Sequence, residues 1–126
     1  MKLHSTQTNQ FQTITGYDKN WVEVNSIKFN ESVIINPNNP PKLWKVRNFD
    51  DLEIKDFSFL DELEPEILLL GTGLRQKFIS PFLISELISK KIGIECMGNQ
   101  PACRTYNILI AEGRKVTLAL ILSGII

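Results

Sequence analysis

The segment Pro65-Glu66-Ile67-Leu68-Leu69-Leu70-Gly71 constrains the fold more than any other. A short apolar run bounded by proline and glycine reads as a buried strand. The rest of the second half repeats the theme. Ser80-Pro81 predicts a helix start, because serine caps and proline suits the first turn. Phe82, Leu83, Ile84, Leu87 and Ile88 then form an apolar stripe, with Ser85, Glu86, Ser89 and Lys90 outside it. Ile92 to Met97 predicts a second strand. Asn99 is placed to cap the next helix, with Pro101 in its first turn and Gly113 stopping it after about Glu112. Lys115 to Leu122 predicts a third strand. The order strand, helix, strand, helix, strand implies a βαβαβ core, hence the α/β class.

The first half reads differently. Phe11 to Thr15 alternates. Trp21 to Val24, Ile27 to Phe29, Ser32 to Ile35 and Leu43 to Val46 are short strand candidates, with turn chemistry at 16–20 and 30–31. The prolines and asparagines of 36–41 are expected to forbid regular structure there. Close spacing favours antiparallel hairpins that extend or cover the parallel core. The chain has 126 residues, of which 43% are hydrophobic and 22% charged. That suits one domain, set at 11–126 behind a polar tail at 1–10.

Lysine plus arginine and aspartate plus glutamate each total 14, so the net charge is zero. A globally basic nucleic-acid binder is thereby excluded. The zero conceals a division: residues 1–49 carry net +3, 50–66 carry −7, and 67–126 carry +4. The acidic block is interleaved with Leu52, Ile54, Phe57, Phe59, Leu60 and Leu63, so it is anchored rather than a loose tail. It reads as a solvated face of short helices, or as a docking face for a basic partner. No signal sequence is visible in Met1–Gln10, and Val116–Ile126 is too short and too interrupted to cross a bilayer. Cys96 and Cys103 lack the spacing of redox or zinc sites and read as reduced, packed thiols. These features lead to the expectation of a cytoplasmic protein. The apolar C-terminus could complete the core or contribute to a homo-oligomer.

Catalytic constellations are scarce. The single histidine, His4, lies in the tail, which removes histidine triads and multi-histidine metal sites. Cys103 beside Arg104 lacks a base, and Lys77 and Lys115 qualify as amine nucleophiles only if buried. No catalytic residue, metal or cofactor is assigned. Two loops fall at the carboxyl ends of the first two parallel strands, Gly71-Thr72-Gly73 and Gly98-Asn99-Gln100, where sheets of this class bind ligands. Gly71 and Gly73 match two glycines of a dinucleotide fingerprint. Gln76 stands at the third, and the helix start is delayed to Ser80, so a tight turn is the simpler reading. Arg104 and Asn107 share a helix face near an N-terminus, where a cation calls for an anion. The candidates are a protein carboxylate, Glu95 or one of the acidic block, and a ligand in a cleft of Gly71, Thr72, Gly73, Asn99, Arg104, Thr105 and Asn107.

Four segments carry a resemblance: Glu66-Ile-Leu-Leu-Leu-Gly-Thr-Gly73 with Phe78, Gly93-Ile-Glu-Cys-Met97, Ala102-Cys-Arg-Thr-Tyr-Asn107 and Ala111-Glu-Gly-Arg114. Together they resemble a small uncharacterised domain family. It includes bacterial and archaeal single-domain proteins, the mitochondrial respiratory complex I assembly factor three, and the adipogenesis-associated protein of the same domain. The match covers about residues 66–122. The resemblance implies a three-layer α/β fold with a mixed central sheet and a cleft near the seven candidate residues. It implies no enzymatic reaction. Relatives often place an aspartate after the second strand, where this chain has Gly98-Asn99.

Two function classes are left. The first is a non-enzymatic binding protein, assembly-factor-like, acting through protein contacts. The second is a small anionic-ligand-binding protein or enzyme using the Gly-Thr-Gly and arginine cleft.

Overall fold

The computed structural model describes residues 11–123. The tail expected at 1–10, with His4, and the last three residues lie outside the described residues. Three short strands come first: β1 (Ile14–Tyr17), β2 (Val22–Val24) and β3 (Ile27–Phe29). They pair antiparallel as a small sheet in the order β1-β2-β3. Next come β4 (Val33–Asn36) and β5 (Asn39–Leu43), two 3-10 turns of helix at Phe49–Asp51 and Ile54–Phe57, and α1 (Phe59–Leu63). The second half is β6 (Ile67–Gly71), α2 (Pro81–Ile88), β7 (Gly93–Met97), α3 (Asn99–Ala111) and β8 (Val116–Leu120).

The main sheet has five strands in the order β5-β4-β8-β6-β7. It is mixed. β6 pairs parallel with β7 and β8, while β4 pairs antiparallel with β5 and β8. From β6 the chain steps outward to β7, then back past β6 to β8. With right-handed crossovers, a reversal of direction sends the two connecting helices to opposite faces. They are found there. Ala102, Cys103, Tyr106 and Ile110 of α3 join Ile14, Val22 and Val24 of the small sheet over one face, with Leu69, Leu118 and Leu120. Leu83 and Leu87 of α2 join Phe57 and Leu60 over the other, with Leu68, Leu70 and Ala119. The result is three layers, and β6, with a helix on each side, is apolar at every position from Ile67 to Leu70 for that reason. Each leucine of β6 buried this way stabilises the fold by about 1.5–3 kcal/mol.

Several expectations shift. Pro40 and Pro41 lie within β5, contrary to the exclusion of regular structure from 36–41. The strand stands at the sheet edge, where missing backbone donors are tolerated. The strand expected at 43–46 accordingly ends at Leu43, and Trp44 turns inward. Gly16 and Tyr17 belong to β1 rather than to a turn. Ser80 does cap α2, accepting from the Leu83 amide at 3.2 Å. Of the α2 stripe, only Leu83 and Leu87 are buried; Phe82 and Ile88 face outward. Ile108 of α3 is also exposed. The C-terminal run through Leu122 is buried and completes the core.

Gly71 shows why this position excludes a side chain. A Cβ there would stand 2.4 Å from both the Asn99 Oδ1 and the Leu120 Cδ2. Gly71→Ala is therefore expected to destabilise the fold by about 1–3 kcal/mol through overpacking. Urea unfolding should show an earlier midpoint, and an unchanged midpoint would contradict this packing.

Candidate functional site

The carboxyl ends of β6 and β7 are where helix connections diverge to opposite faces, the position at which open α/β sheets form crevices. The Gly71-Thr72-Gly73 and Gly98-Asn99 loops meet there, as their adjacency in the sheet requires. The crevice is filled by the protein itself. Asn99 stands inside the first turn of α3, and Gly98 takes the cap position, so Asn99 does not cap the helix as expected. Its side chain is buried and bridges instead. Oδ1 accepts from the Gly73 amide at 3.1 Å, and Nδ2 donates to the Ile121 carbonyl at 2.9 Å. Its amide donates in turn to the Gly73 carbonyl at 2.8 Å. Thr72 is similarly occupied. Its hydroxyl donates to the Arg75 carbonyl at 2.6 Å and accepts from the Lys77 amide at 3.0 Å. Gly73 has φ +109°, a conformation that favours glycine, and this turns the chain out of the sheet. Among the described residues no buried side-chain nitrogen or oxygen lacks a partner.

Arg104, Thr105 and Asn107 lie further along α3, and Arg104 and Asn107 reach β1. Asn107 clamps one residue of that strand: Oδ1 accepts from the Ile14 amide at 3.0 Å, and Nδ2 donates to the Ile14 carbonyl at 2.8 Å. Tyr106 donates to the Gln12 carbonyl at 2.6 Å. Arg104 Nη1 donates to the Tyr17 hydroxyl at 3.1 Å. The carboxylate partner anticipated for Arg104 is absent among the described residues, where the ion pairs are Lys55–Glu53, Lys90–Asp61 and Arg114–Glu66. Its guanidinium is exposed, so water screens the adverse helix dipole. The seven expected cleft residues thus divide: four gather at the sheet end, Arg104 and Asn107 bond to the small sheet, and Thr105 joins neither group.

Reactive groups are subdued. Burial pushes the Cys103 thiol up to about 12, against a smaller opposing pull from Arg104. Burial also raises Cys96 and Tyr106. Lys77 and Lys115 are exposed, so neither meets the burial condition for an amine nucleophile. Glu66 is held below the usual carboxylate range, first by the Lys115 amide and then by Arg114, and it ties the start of β6 to that of β8. No His, Cys, Asp or Glu triplet suited to a metal gathers among the described residues.

Sequence reasoning missed a separate group of cations. Arg47, Arg75 and Lys77 line a cavity of about 360 Å³ beyond the ends of β6 and β8, with Phe49, Thr72, Gly73 and Ser123. Arg47 is 28 residues from Arg75, so only the charge excess of the flanks hinted at it.

Comparison with known proteins matches residues 14–121 to the family described as "Protein of unknown function (DUF498/DUF598)". The chain belongs to this family. A relative from Drosophila melanogaster, named NADH dehydrogenase [ubiquinone] 1 alpha subcomplex assembly factor 3, is 33% identical over 127 residues, covering 94% of this chain and 63% of that protein. The chain spans still less of the vertebrate relatives of the same name, 49% for that of Danio rerio. A crystal structure from Bordetella parapertussis superimposes with a TM-score of 0.84 at 37% identity, covering 89% of this chain and 96% of that one. A solution structure of a Bordetella pertussis protein, described as a Mth938-like domain, gives 0.74 at 34% identity over 90% of this chain and 87% of that one. The family members therefore share the three-layer α/β fold, as the resemblance implied. No helix among the described residues is long and apolar enough to cross a membrane.

Removing the Asn99 side chain leaves a half-buried amide at Gly73 and a buried carbonyl at Ile121 without partners. Asn99→Ala should cost about 2–4 kcal/mol in chemical unfolding. Asn99→Asp restores only the acceptor and sets a carboxylate against the Ile121 carbonyl, so it too should destabilise. A wild-type midpoint for either variant would refute the bridge. The Cys103 thiol gives a pH prediction. The fold holds it protonated while the unfolded chain ionises near the ordinary value of 9.0, so stability should fall as pH rises above about 9. At pH 8, iodoacetamide should leave Cys103 unmodified in the native chain and label it after denaturation; rapid native labelling would contradict its burial.

Proposed function

We propose that this protein acts without catalysis, as an assembly-factor-like protein that works through contacts with a protein partner in the cytoplasm. Two free thiols suit that compartment. The relatives named as assembly factors support the functional class, and the surface supports the mode. The observation that carries it is an apolar groove beside the acidic segment. The groove, of about 400 Å³, runs between the Leu52–Lys55 segment and the start of α2, lined by Leu52, Ile54, Phe82 and Leu83. Phe82 is 67% exposed and Ile54 37%. An exposed aromatic beside an aliphatic side chain is expensive to leave in water and typical of a docking surface. Glu53 and Lys55 line the same groove as an exposed ion pair at 3.3 Å, within a segment that carries net −7.

The acidic segment is also rigid. Trp44 Nε1 donates to the Asp56 carbonyl at 2.8 Å, and the Trp44 ring packs edge-on against Phe57 and Phe59. Glu53 and Asp56 cap the second 3-10 turn reciprocally. A pre-formed surface loses little conformational entropy on binding. The occupant that fits is a basic, amphipathic segment of a partner, with its apolar side chains in the groove and its cations over the acidic rim.

Affinity purification from the native cell, with mass spectrometry, tests this reading. A reproducible partner should be recovered by the wild-type chain and lost or weakened at least about tenfold by Phe82→Glu or Glu53→Lys, with higher salt weakening the complex. Absence of any reproducible partner under conditions that keep weak complexes intact would overturn the proposal, as would capture unaffected by both variants.

A further inference from the structure

We propose that the cavity beyond the ends of β6 and β8 binds a small phosphate-bearing ligand through Arg47, Arg75 and Lys77. Among the described residues, the cavity of about 360 Å³ takes these three cations and no carboxylate side chain into its wall. None of the three forms an ion pair among the described residues. They arrive from separate stretches. Arg47 follows β5, and Arg75 and Lys77 sit on the loop after β6, so the tertiary fold gathers them. Three cations lining one concavity give it a positive potential that favours an anion there. The Lys77 ammonium stands 5.6 Å from the centre of the Phe49 ring, which lines the same cavity and holds the side chain at its wall.

The donor set favours phosphate. Two guanidinium forks suit the several oxygens of a phosphate, and the lysine adds a point charge. A phosphomonoester carries about −1.5 to −2 at neutral pH, which balances three cations better than a carboxylate can. The volume lies near the lower end of the roughly 300–1,000 Å³ range of small-molecule pockets, which fits a monophosphorylated metabolite rather than a dinucleotide. The position, beyond the carboxyl ends of parallel strands, is where this class of sheet receives ligands. This site is distinct from the apolar groove and does not depend on the protein-docking reading.

Isotope-edited NMR of the chain, titrated with inorganic phosphate and then ribose 5-phosphate at constant ionic strength, tests it. Saturable shifts are expected at the amides of residues 73–77, with the phosphomonoester binding more tightly than inorganic phosphate. The double variant Arg47→Gln/Arg75→Gln should weaken binding at least about tenfold, and Lys77→Gln alone should weaken it less. Arg104→Gln, on the other side of the sheet, should bind like wild type. The three side chains are exposed, so melting temperatures without ligand should be unchanged. The proposal fails if no saturable shift appears up to roughly 10 mM phosphomonoester, if chloride produces the same shifts, or if the double variant or Lys77→Gln, whichever retains the fold, binds like wild type.

Discussion

A single buried amide joins the three elements around which the second half is organised. Asn99 begins α3, accepts from Gly73 just after β6, and donates to Ile121 just after β8. A primary amide is the group that can accept on one side and donate on the other, and here it satisfies the buried Ile121 carbonyl and the half-buried Gly73 amide together. Gly71 completes the arrangement by presenting no side chain where the amide lies. The Gly-Thr-Gly segment therefore owes its first glycine to close packing and its last to backbone conformation. Neither property requires a phosphate in the turn.

The two faces of the sheet serve different ends. On one, α3 holds the small sheet through Asn107, Tyr106 and Arg104, all of which reach the chain between Gln12 and Tyr17. Polar side chains on a helix face look like ligand-binding groups when read alone. Here they satisfy the backbone of a neighbouring strand, and so fix the third layer in register. On the other face, α2 and the acidic segment cover the core while leaving Phe78 and Phe82 exposed. That asymmetry separates a face closed by internal bonds from one that leaves aromatic side chains in water.

The charge distribution acquires meaning only with the fold. The acidic block is held against Trp44 by a hydrogen bond and edge-on aromatic contacts, so its carboxylates stand on a fixed scaffold. The basic flanks contribute Arg47 from the first and Arg75 and Lys77 from the second to one cavity. An even balance of 14 against 14 thus resolves into an acidic surface beside an apolar groove and a compact cationic pocket.

Local physics made much of the fold legible. The bounded run at 66–70 read as a buried strand, Ser80-Pro81 marked a helix start, and the alternation of elements implied the parallel core. These depend on short-range rules of periodicity, capping and turn chemistry, which act within a few residues. The edge position of β5 was not legible, because tolerance of Pro40 and Pro41 depends on which strands flank it. The roles of Asn99, Asn107 and Arg104 were likewise beyond reach, since their partners lie 22 to 93 residues away. The sequence by itself determined the class of fold. The tertiary structure alone decided which polar groups are spent on the backbone and which cations are left facing a cavity, because hydrogen-bond satisfaction and charge proximity are set by distance in space rather than along the chain.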